Sequence, residues 1–201
     1  MKKSTIVCIM LLFVMQTIAA TEREVILMNF GWKFQLGEVE NGEKPQLDDS
    51  QWRQLDLPYD YQLNMPWEKT ANRSRAFKDM SGAWFRKTFH PDEAWKDRQV
   101  LIDLEGMMYY GDVYLNGEKI GSTEYGYCGC ECDVTKKLKY GQDNLLAVYT
   151  NTGVVGGSRW YTGGGINRDV RIIVKNPMSL SRHGVYVTTV KNNANTWTVH
   201  A

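Results

Sequence analysis

Several features that would point to common functional classes are missing from this 201-residue sequence. Positive and negative side chains nearly balance, with a formal net charge of +1, so charge gives no reason to expect nucleic acid or an anionic membrane as a partner. Only three histidines are present, His90, His183 and His200, and none has the spacing of a metal motif. We therefore assign neither a metal nor a cofactor.

Sustained helical periodicity, internal repeats and low-complexity segments are also missing. Short alternating or β-branched runs, such as Gly82–Phe89 and Val170–Val174, are instead separated by turn signals. This pattern is typical of an all-β sandwich. The Asn116-Gly117 pair between two alternating runs predicts a two-residue hairpin turn of type I′.

No apolar run is long enough for a comfortable transmembrane helix, which needs about 20 residues. The N-terminus instead has a basic start at Lys2-Lys3, an apolar run from Ile6 to Ile18, and then Ala19-Ala20. This order is typical of a secretory signal peptide. We predict that residues 1–20 are removed, and that the mature protein is periplasmic or secreted by a bacterium, with no membrane attachment after cleavage.

Cysteine is scarce, and three of the four cysteines stand in one run, at Cys128, Cys130 and Cys132. Alternate spacing on a strand would point all three to one face. We interpret them as small packed thiols, because no second group of metal ligands accompanies them. A disulfide between positions i and i+2 would be strained, since their separation approaches the upper Cα limit of about 7 Å.

The other segments are organised around residues 158–174, which contain three consecutive glycines and then an apolar run. Trp160 offers a flat apolar face of the kind that stacks on sugar rings, although a core position is an equal alternative. Arg159 carries a permanently charged fork that can donate several hydrogen bonds. An arginine between Gly-Ser and aromatics has little use in a core, so we favour a ligand contact for Arg159.

An ordered set of segments resembles the N-terminal sugar-binding domain of glycoside hydrolase family 2, especially of its β-galactosidases. The segments are Leu57–Tyr61, Gly82–Phe89, Asp103–Gly106, Val113–Gly117 and Arg159–Arg168. The resemblance implies a jelly-roll, galactose-binding-like β-sandwich over residues 21–176. Residues 177–201 would then begin an immunoglobulin-like β-sandwich domain.

The resemblance also implies that this domain forms the rim of a pocket for a terminal β-linked sugar, with a galactoside as the favoured ligand. Arg159 falls where relatives place a polar substrate contact, and Trp160 is its aromatic neighbour. Asn151 and Asp79 lie near two further contact positions. We therefore expect these four residues to bind substrate.

Asp60 matches the acidic residue of the family motif Leu-Pro-His-Asp-Trp, although Tyr59 and Tyr61 replace its histidine and tryptophan. It is our fifth candidate for substrate binding. The alternative is a turn-stabilising carboxylate that accepts hydrogen bonds from nearby amides. Of two other conspicuous residues, we expect Arg168 to pair with a buried carboxylate and Trp84 to lie in the core.

In the family, a (β/α)8 barrel follows and carries two catalytic glutamates, which in retaining enzymes lie about 5–5.5 Å apart. No glutamate here matches either one, so we assign no catalytic residue and expect the chain to be inert without the barrel of a parent enzyme that hydrolyses O-glycosidic bonds. Two alternatives stay open, a stand-alone carbohydrate-binding module and a structural piece that packs on a partner. The sequence does not choose among galactoside, glucuronide and mannoside.

Overall fold

A computed structural model describes residues 23–153 and 162–201 of the chain. It divides into two compact units, of which one is Glu22–Lys175 and the other contains Asn176–Ala201. The predicted signal peptide and the candidates Arg159 and Trp160 lie outside the described residues. The described residues include no helix whose length and apolar character would allow it to span a bilayer.

The described part of the first unit is all-β, as predicted, with short 3₁₀ turns at Tyr61–Asn64, Arg73–Arg75 and Glu93–Trp95. Its strands are β1 (Glu24–Leu27), β2 (Trp32–Leu36), β3 (Arg53–Leu55), β4 (Tyr59–Asp60), β5 (Gly82–Phe89), β6 (Gln99–Leu104), β7 (Met107–Met108), β8 (Tyr110–Leu115), β9 (Glu118–Thr123), β10 (Cys130–Asp133), β11 (Asn144–Asn151), β12 (Gly165–Ile166) and β13 (Val170–Lys175).

Two antiparallel sheets supply most of these strands, one in the order β1-β13-β6-β10 and one in the order β3-β2-β5-β11-β8-β9. Alternate side chains of each sheet join one apolar core, as the period-2 pattern of the strands requires. Ile102 and Ile172 come from the first sheet, and Phe85, Val113 and Val148 from the second; all five are buried. A third, small sheet in the order β4-β12-β7 positions the candidate site.

The predicted hairpin is confirmed between β8 and β9. Asn116 and Gly117 have φ values of 53° and 88°, and a type I′ turn requires positive φ at both positions. The Asn116 side chain also ties the turn to β11, since its Oδ1 accepts the N–H of Leu145 at 3.0 Å.

The outer face of the larger sheet is covered by the polar loop after β2. Trp84 is buried there, 6% exposed, which confirms a packing role, although in a small cluster on the outer face and not between the sheets. Arg86 pins the loop: it donates to Asp49 Oδ2 at 2.8 Å and to the carbonyls of Gly42 and Lys44 at 2.6 and 3.0 Å. The loop is therefore fixed to the sheet by a buried guanidinium.

The cysteine run divides where β10 begins. Cys130 and Cys132 share one face of the strand, with Sγ atoms 3.4 Å apart, and both are free thiols. They face Gly121 of β9, where a Cβ added to the glycine would come within 2.5 Å of Cys132 Sγ. Cys128 does not share that face, contrary to our expectation, because its N–H closes a turn onto Tyr125 and its side chain is exposed before the strand starts.

The described part of the second unit contains one antiparallel hairpin of β14 (Thr188–Lys191) and β15 (Trp197–His200). The immunoglobulin-like assignment of this segment stays a prediction.

Candidate functional site

The candidate site is built on the three-stranded sheet. Gly165 of β12 lies opposite Asp60 of β4 on one side and opposite Met108 of β7 on the other. We call Asp60, Tyr61 and Gly163–Gly165 the glycine corner. Arg159 and Trp160 precede it in the sequence and stay predictions.

Asp60 closes the glycine corner through its side chain. Its Oδ1 accepts the N–H of Gly164 at 2.9 Å and the N–H of Gln62 at 3.0 Å, and the latter caps the 3₁₀ turn that follows. A Cβ at Gly163 would lie 2.8 Å from Asp60 Oδ2, so the chain approaches the carboxylate more closely than a side chain would allow. Asp60 therefore fills the turn-stabilising role that was the alternative, and it holds the corner in shape.

Tyr61 is the buried support of the corner, 2% exposed. Its hydroxyl donates to the carbonyl of Ser81 at 2.6 Å and lies 3.3 Å from Thr152 Oγ1. Burial raises the pKa of Tyr61 to about 12, with the nearby Asp60 charge raising it and the hydrogen bond to Thr152 lowering it. A Cβ at Gly164 would lie 2.6 Å from the Tyr61 ring, which explains the glycine at that position.

Asn151 ends β11 beside Thr152 and is half-buried. Its Nδ2 donates to the Tyr149 hydroxyl at 2.9 Å, and its Oδ1 accepts the N–H of Gly153 at 2.6 Å. The Tyr149 hydroxyl in turn donates to Glu38, and burial and that carboxylate raise the Tyr149 pKa above its ordinary value. The amide of Asn151 is therefore held in one orientation at the end of the strand.

Asp79 lies in the long loop before β5, with an exposed side chain. Its carbonyl accepts a hydrogen bond from Gln62 Nε2 at 3.1 Å. The neighbouring Lys78 is buried, and its ammonium donates to the carbonyls of Gln62, Leu63 and Met65 at 2.6, 3.3 and 2.8 Å. These bonds fix an irregular loop, so Asp79 is presented from a fixed backbone.

Three of the five candidates are thereby brought to one corner of the sandwich. Tyr61 links the segment of Asp60 to Ser81 and Thr152, which lie next to the segments of Asp79 and Asn151. The sequence did not indicate that Tyr61, Gln62 and Lys78 hold the segments of the candidate residues in place. The one available signal for Tyr61 was its position at the end of the Leu-Pro-Tyr-Asp-Tyr motif, where it replaces the tryptophan of the family motif.

Arg168 departs from its predicted role. It is exposed and lies before β13, outside the inward alternation of that strand. The ion pairs here belong to Arg171, which contacts Glu105 and Asp169, both half-buried. The expected pairing of Arg168 with a buried carboxylate is wrong.

Within the described ranges, no cluster of three or more His, Cys, Asp or Glu side chains could hold a metal ion. A mainly apolar hollow of about 580 Å³, lined among others by Met28, Phe89 and Trp95, opens at the far end of β5. His90, Asp92 and Glu93 are the polar side chains in the lining of this hollow.

Comparison with known proteins identifies relatives of this architecture. A family model described as glycosyl hydrolase 2 galactose-binding domain-like matches residues 55–158. A β-galactosidase from Bacteroides ovatus is 33% identical over 169 residues, which are 83% of this chain and 20% of that protein. A β-glucuronidase from Bacteroides fragilis is 25% identical over 178 residues, 83% of this chain and 24% of that protein.

Among solved structures, a β-glycosidase from Bacteroides vulgatus superposes with a TM-score of 0.79 and 32% identity, covering 88% of this chain and 23% of that one. The chain spans about a fifth to a quarter of the length of these relatives. The match lies in their N-terminal domain.

Proposed function

This chain belongs to the glycosyl hydrolase 2 galactose-binding domain-like family, and from that membership we propose that it is the N-terminal sugar-binding domain of an exported β-galactosidase-like enzyme. Its role is to hold the terminal β-linked sugar at the rim of a pocket. The other wall of that pocket, and the hydrolysis of the O-glycosidic bond, belong to the catalytic barrel of the parent enzyme.

One structural observation carries the proposal: the hydrogen bonds of Tyr61 and Gln62 bring the segments of Asp60, Asp79 and Asn151 to the same glycine corner. Carboxylate and amide groups on a fixed backbone are suited to the hydroxyls of a sugar. The sequence continues directly upstream of the corner into Arg159 and Trp160. The guanidinium of Arg159 and the indole of Trp160 would complete the polar and aromatic rim of the sugar pocket.

Saturation-transfer NMR with galactose and lactose tests this role. Asp79→Asn and Arg159→Ala are expected to weaken binding by about tenfold or more each, since a hydrogen bond to a charged group is worth about 1.5–3 kcal/mol and about 1.4 kcal/mol is a factor of ten. Asp97→Asn is the matched control. Its exposed carboxylate lies just before β6 begins, whereas β7, a strand of the small sheet that carries the glycine corner, begins only after β6 ends. Equal binding by all three variants and the unaltered chain would contradict the proposal.

The exposed rings of Tyr125 and Tyr127 favour a second candidate, the stand-alone carbohydrate-binding module. Affinity separates the two. A rim buries too little of a ligand for tight binding, so the domain role predicts millimolar affinity, whereas a complete module would bind in the micromolar range.

Export is part of the proposal and has its own test. Expression in a bacterial host, followed by mass spectrometry of the periplasmic fraction, is expected to show an N-terminus directly after Ala20. An unprocessed chain confined to the cytoplasm would contradict it.

A further inference from the structure

Three tyrosines beside β7 form a continuous aromatic surface, which we call the tyrosine ledge: Tyr109, Tyr125 and Tyr127. The rings of Tyr109 and Tyr125 meet edge to face with centroids 6.1 Å apart, and those of Tyr125 and Tyr127 lie 5.5 Å apart. Tyr125 and Tyr127 are 52% and 60% exposed. Contiguous exposed apolar surface is characteristic of ligand-binding and interaction sites.

The ledge is held in place by its own backbone. The Thr123 hydroxyl accepts the N–H of Tyr125 at 3.3 Å and lies 3.1 Å from its carbonyl, which also accepts the N–H of Cys128 at 3.1 Å. Gly126 packs so closely on β7 that a Cβ there would lie 2.1 Å from Met108 Sδ. A backbone fixed in this way limits the conformational entropy that the ledge loses when a ligand binds.

The position of the ledge relates it to the glycine corner. Met108 and Asp60 flank the same residue, Gly165, from opposite sides of the small sheet. Adjacent strands are 4.7–4.9 Å apart, so the backbones of Asp60 and Met108 are about 10 Å apart. Tyr109 follows Met108 directly. The corner and the ledge therefore lie at opposite edges of the same small sheet, a separation that a short oligosaccharide can span.

We propose that the tyrosine ledge binds the further units of a neutral, β-linked oligosaccharide whose terminal unit occupies the glycine corner. This inference rests on the proposed function. The tyrosine faces stack on the C–H surfaces of the sugars, and the phenolic hydroxyls hydrogen-bond to sugar hydroxyls. Exposed Glu124 directly precedes Tyr125, so a uronate on the ledge would meet a like charge.

Titration of the full chain with galactose, a β-linked galactobiose and a β-linked galactotetraose tests the ledge. Affinity is expected to rise on the order of tenfold from the monosaccharide to the tetrasaccharide, equivalent to about 1.4 kcal/mol. The double variant Tyr125→Ala/Tyr127→Ala is expected to lose this gain and to retain monosaccharide binding. Tyr125→Phe/Tyr127→Phe, which keeps the rings, is expected to retain most of it. A β-linked glucuronate tetramer is expected to bind more weakly than the neutral one.

Tyr186→Ala, at an exposed tyrosine of the second unit, is the matched control, and urea midpoints verify folding. The proposal for the ledge would be overturned if the double alanine variant bound the tetrasaccharide as tightly as the unaltered chain does. It would also be overturned if affinity did not rise with the length of the oligosaccharide. If galactose binds without a gain, the ledge fails and the proposed function stands. A different result would separate the two proposals in the other direction. If the rise in affinity with chain length depends on the ledge, but galactose alone is not bound and Asp79→Asn has no effect, the ledge proposal stands and the sugar-binding role of the corner fails.

Discussion

Asp60 and Gly164 are joined by a hydrogen bond of 2.9 Å from the glycine N–H to the carboxylate, across 104 positions of the sequence. The same oxygen accepts the N–H of Gln62. One carboxylate therefore fixes both the exit of β4 and the entry to β12.

Substitution of two glycines with similar φ separates backbone strain from close packing. Gly165 has φ +104°, and a Cβ there would lie 2.6 Å from the Tyr59 carbonyl; Gly37 has φ +95° with no heavy atom within 4 Å. Gly37→Ala is expected to cost about 1–2 kcal/mol of unfolding free energy from strain alone. Gly165→Ala is expected to cost about 2 kcal/mol more, because backbone must also move. Urea unfolding measures both, and equal losses would contradict a tightly packed corner.

Removal of one hydroxyl tests the buried support of the corner. Tyr61→Phe is expected to lose about 1 kcal/mol at pH 7, the net worth of a hydrogen bond. The folded pKa of Tyr61, about 12, exceeds the unfolded value of about 10. The neutral phenol therefore contributes stability that is present below pH 10 and lost as the pH rises towards 12.

Stability of the unaltered chain should thus fall more steeply than that of Tyr61→Phe between pH 10 and 12, by about 2 kcal/mol in total. Tyr186→Phe, at an exposed ring, serves as the control. Parallel stability curves for the unaltered chain and Tyr61→Phe would show that Tyr61 is not buried as described.

An acid-sensitive contact fixes the loop over the larger sheet. Burial raises the pKa of Asp49, but hydrogen bonds and charge from Lys33 and Arg86 outweigh it and hold the pKa below its ordinary value. The contact of Asp49 with Lys33 and Arg86 therefore stabilises the fold above about pH 4. This contribution is lost as the pH falls through the folded pKa of Asp49. Asp49→Asn is expected to cost about 1–3 kcal/mol at pH 7, because Arg86 is 2% exposed and loses its counter-charge.

Thermal unfolding at pH 7 and pH 3 measures this effect. The destabilisation by Asp49→Asn should shrink at pH 3. Asp143→Asn, whose exposed carboxylate contacts His90, is expected to change stability by no more than about 0.5 kcal/mol. A constant effect of Asp49→Asn across the pH range would refute the assignment.

The thiol pair predicts a graded reactivity. The hydrogen bond from the Cys132 S–H lowers the pKa of Cys130, against the effect of burial, and the same contact together with burial raises the pKa of Cys132. Cys130 should therefore be alkylated faster than Cys132 by iodoacetamide at pH 7.5, because the thiolate is the nucleophile.

Substitution of Cys132 tests whether its hydrogen bond is the cause of the higher reactivity of Cys130. Cys132→Ser keeps a donor beside Cys130 and should preserve its alkylation rate, whereas Cys132→Val removes the donor and should lower it several-fold. Peptide mapping by mass spectrometry follows each thiol separately. If both substitutions gave the same Cys130 rate, the hydrogen bond would have no influence.

The sequence predicts those parts of the structure that depend on neighbouring residues. The Asn116-Gly117 turn and the alternating strands follow from local conformational preference and from burial on one face. The partners of Tyr61 are 20 and 91 positions away, and no local pattern indicates them. The prediction for Cys128 is wrong because the turn between Tyr125 and Cys128 makes β10 begin only at Cys130. Arg168 and Arg171 could not be told apart, because Arg171 pairs with Glu105, 66 positions away, and no local pattern indicates that partner.

The central claim is that the glycine corner binds the terminal sugar, and chemical-shift mapping of the ¹⁵N-labelled chain with lactose tests it most directly. The account predicts that the shifted amides cluster at Gln62, Thr152 and Gly163–Gly165, with few changes around Trp95 at the far end of β5. Shifts confined to the hollow near Trp95, or none at all at millimolar lactose, would contradict it.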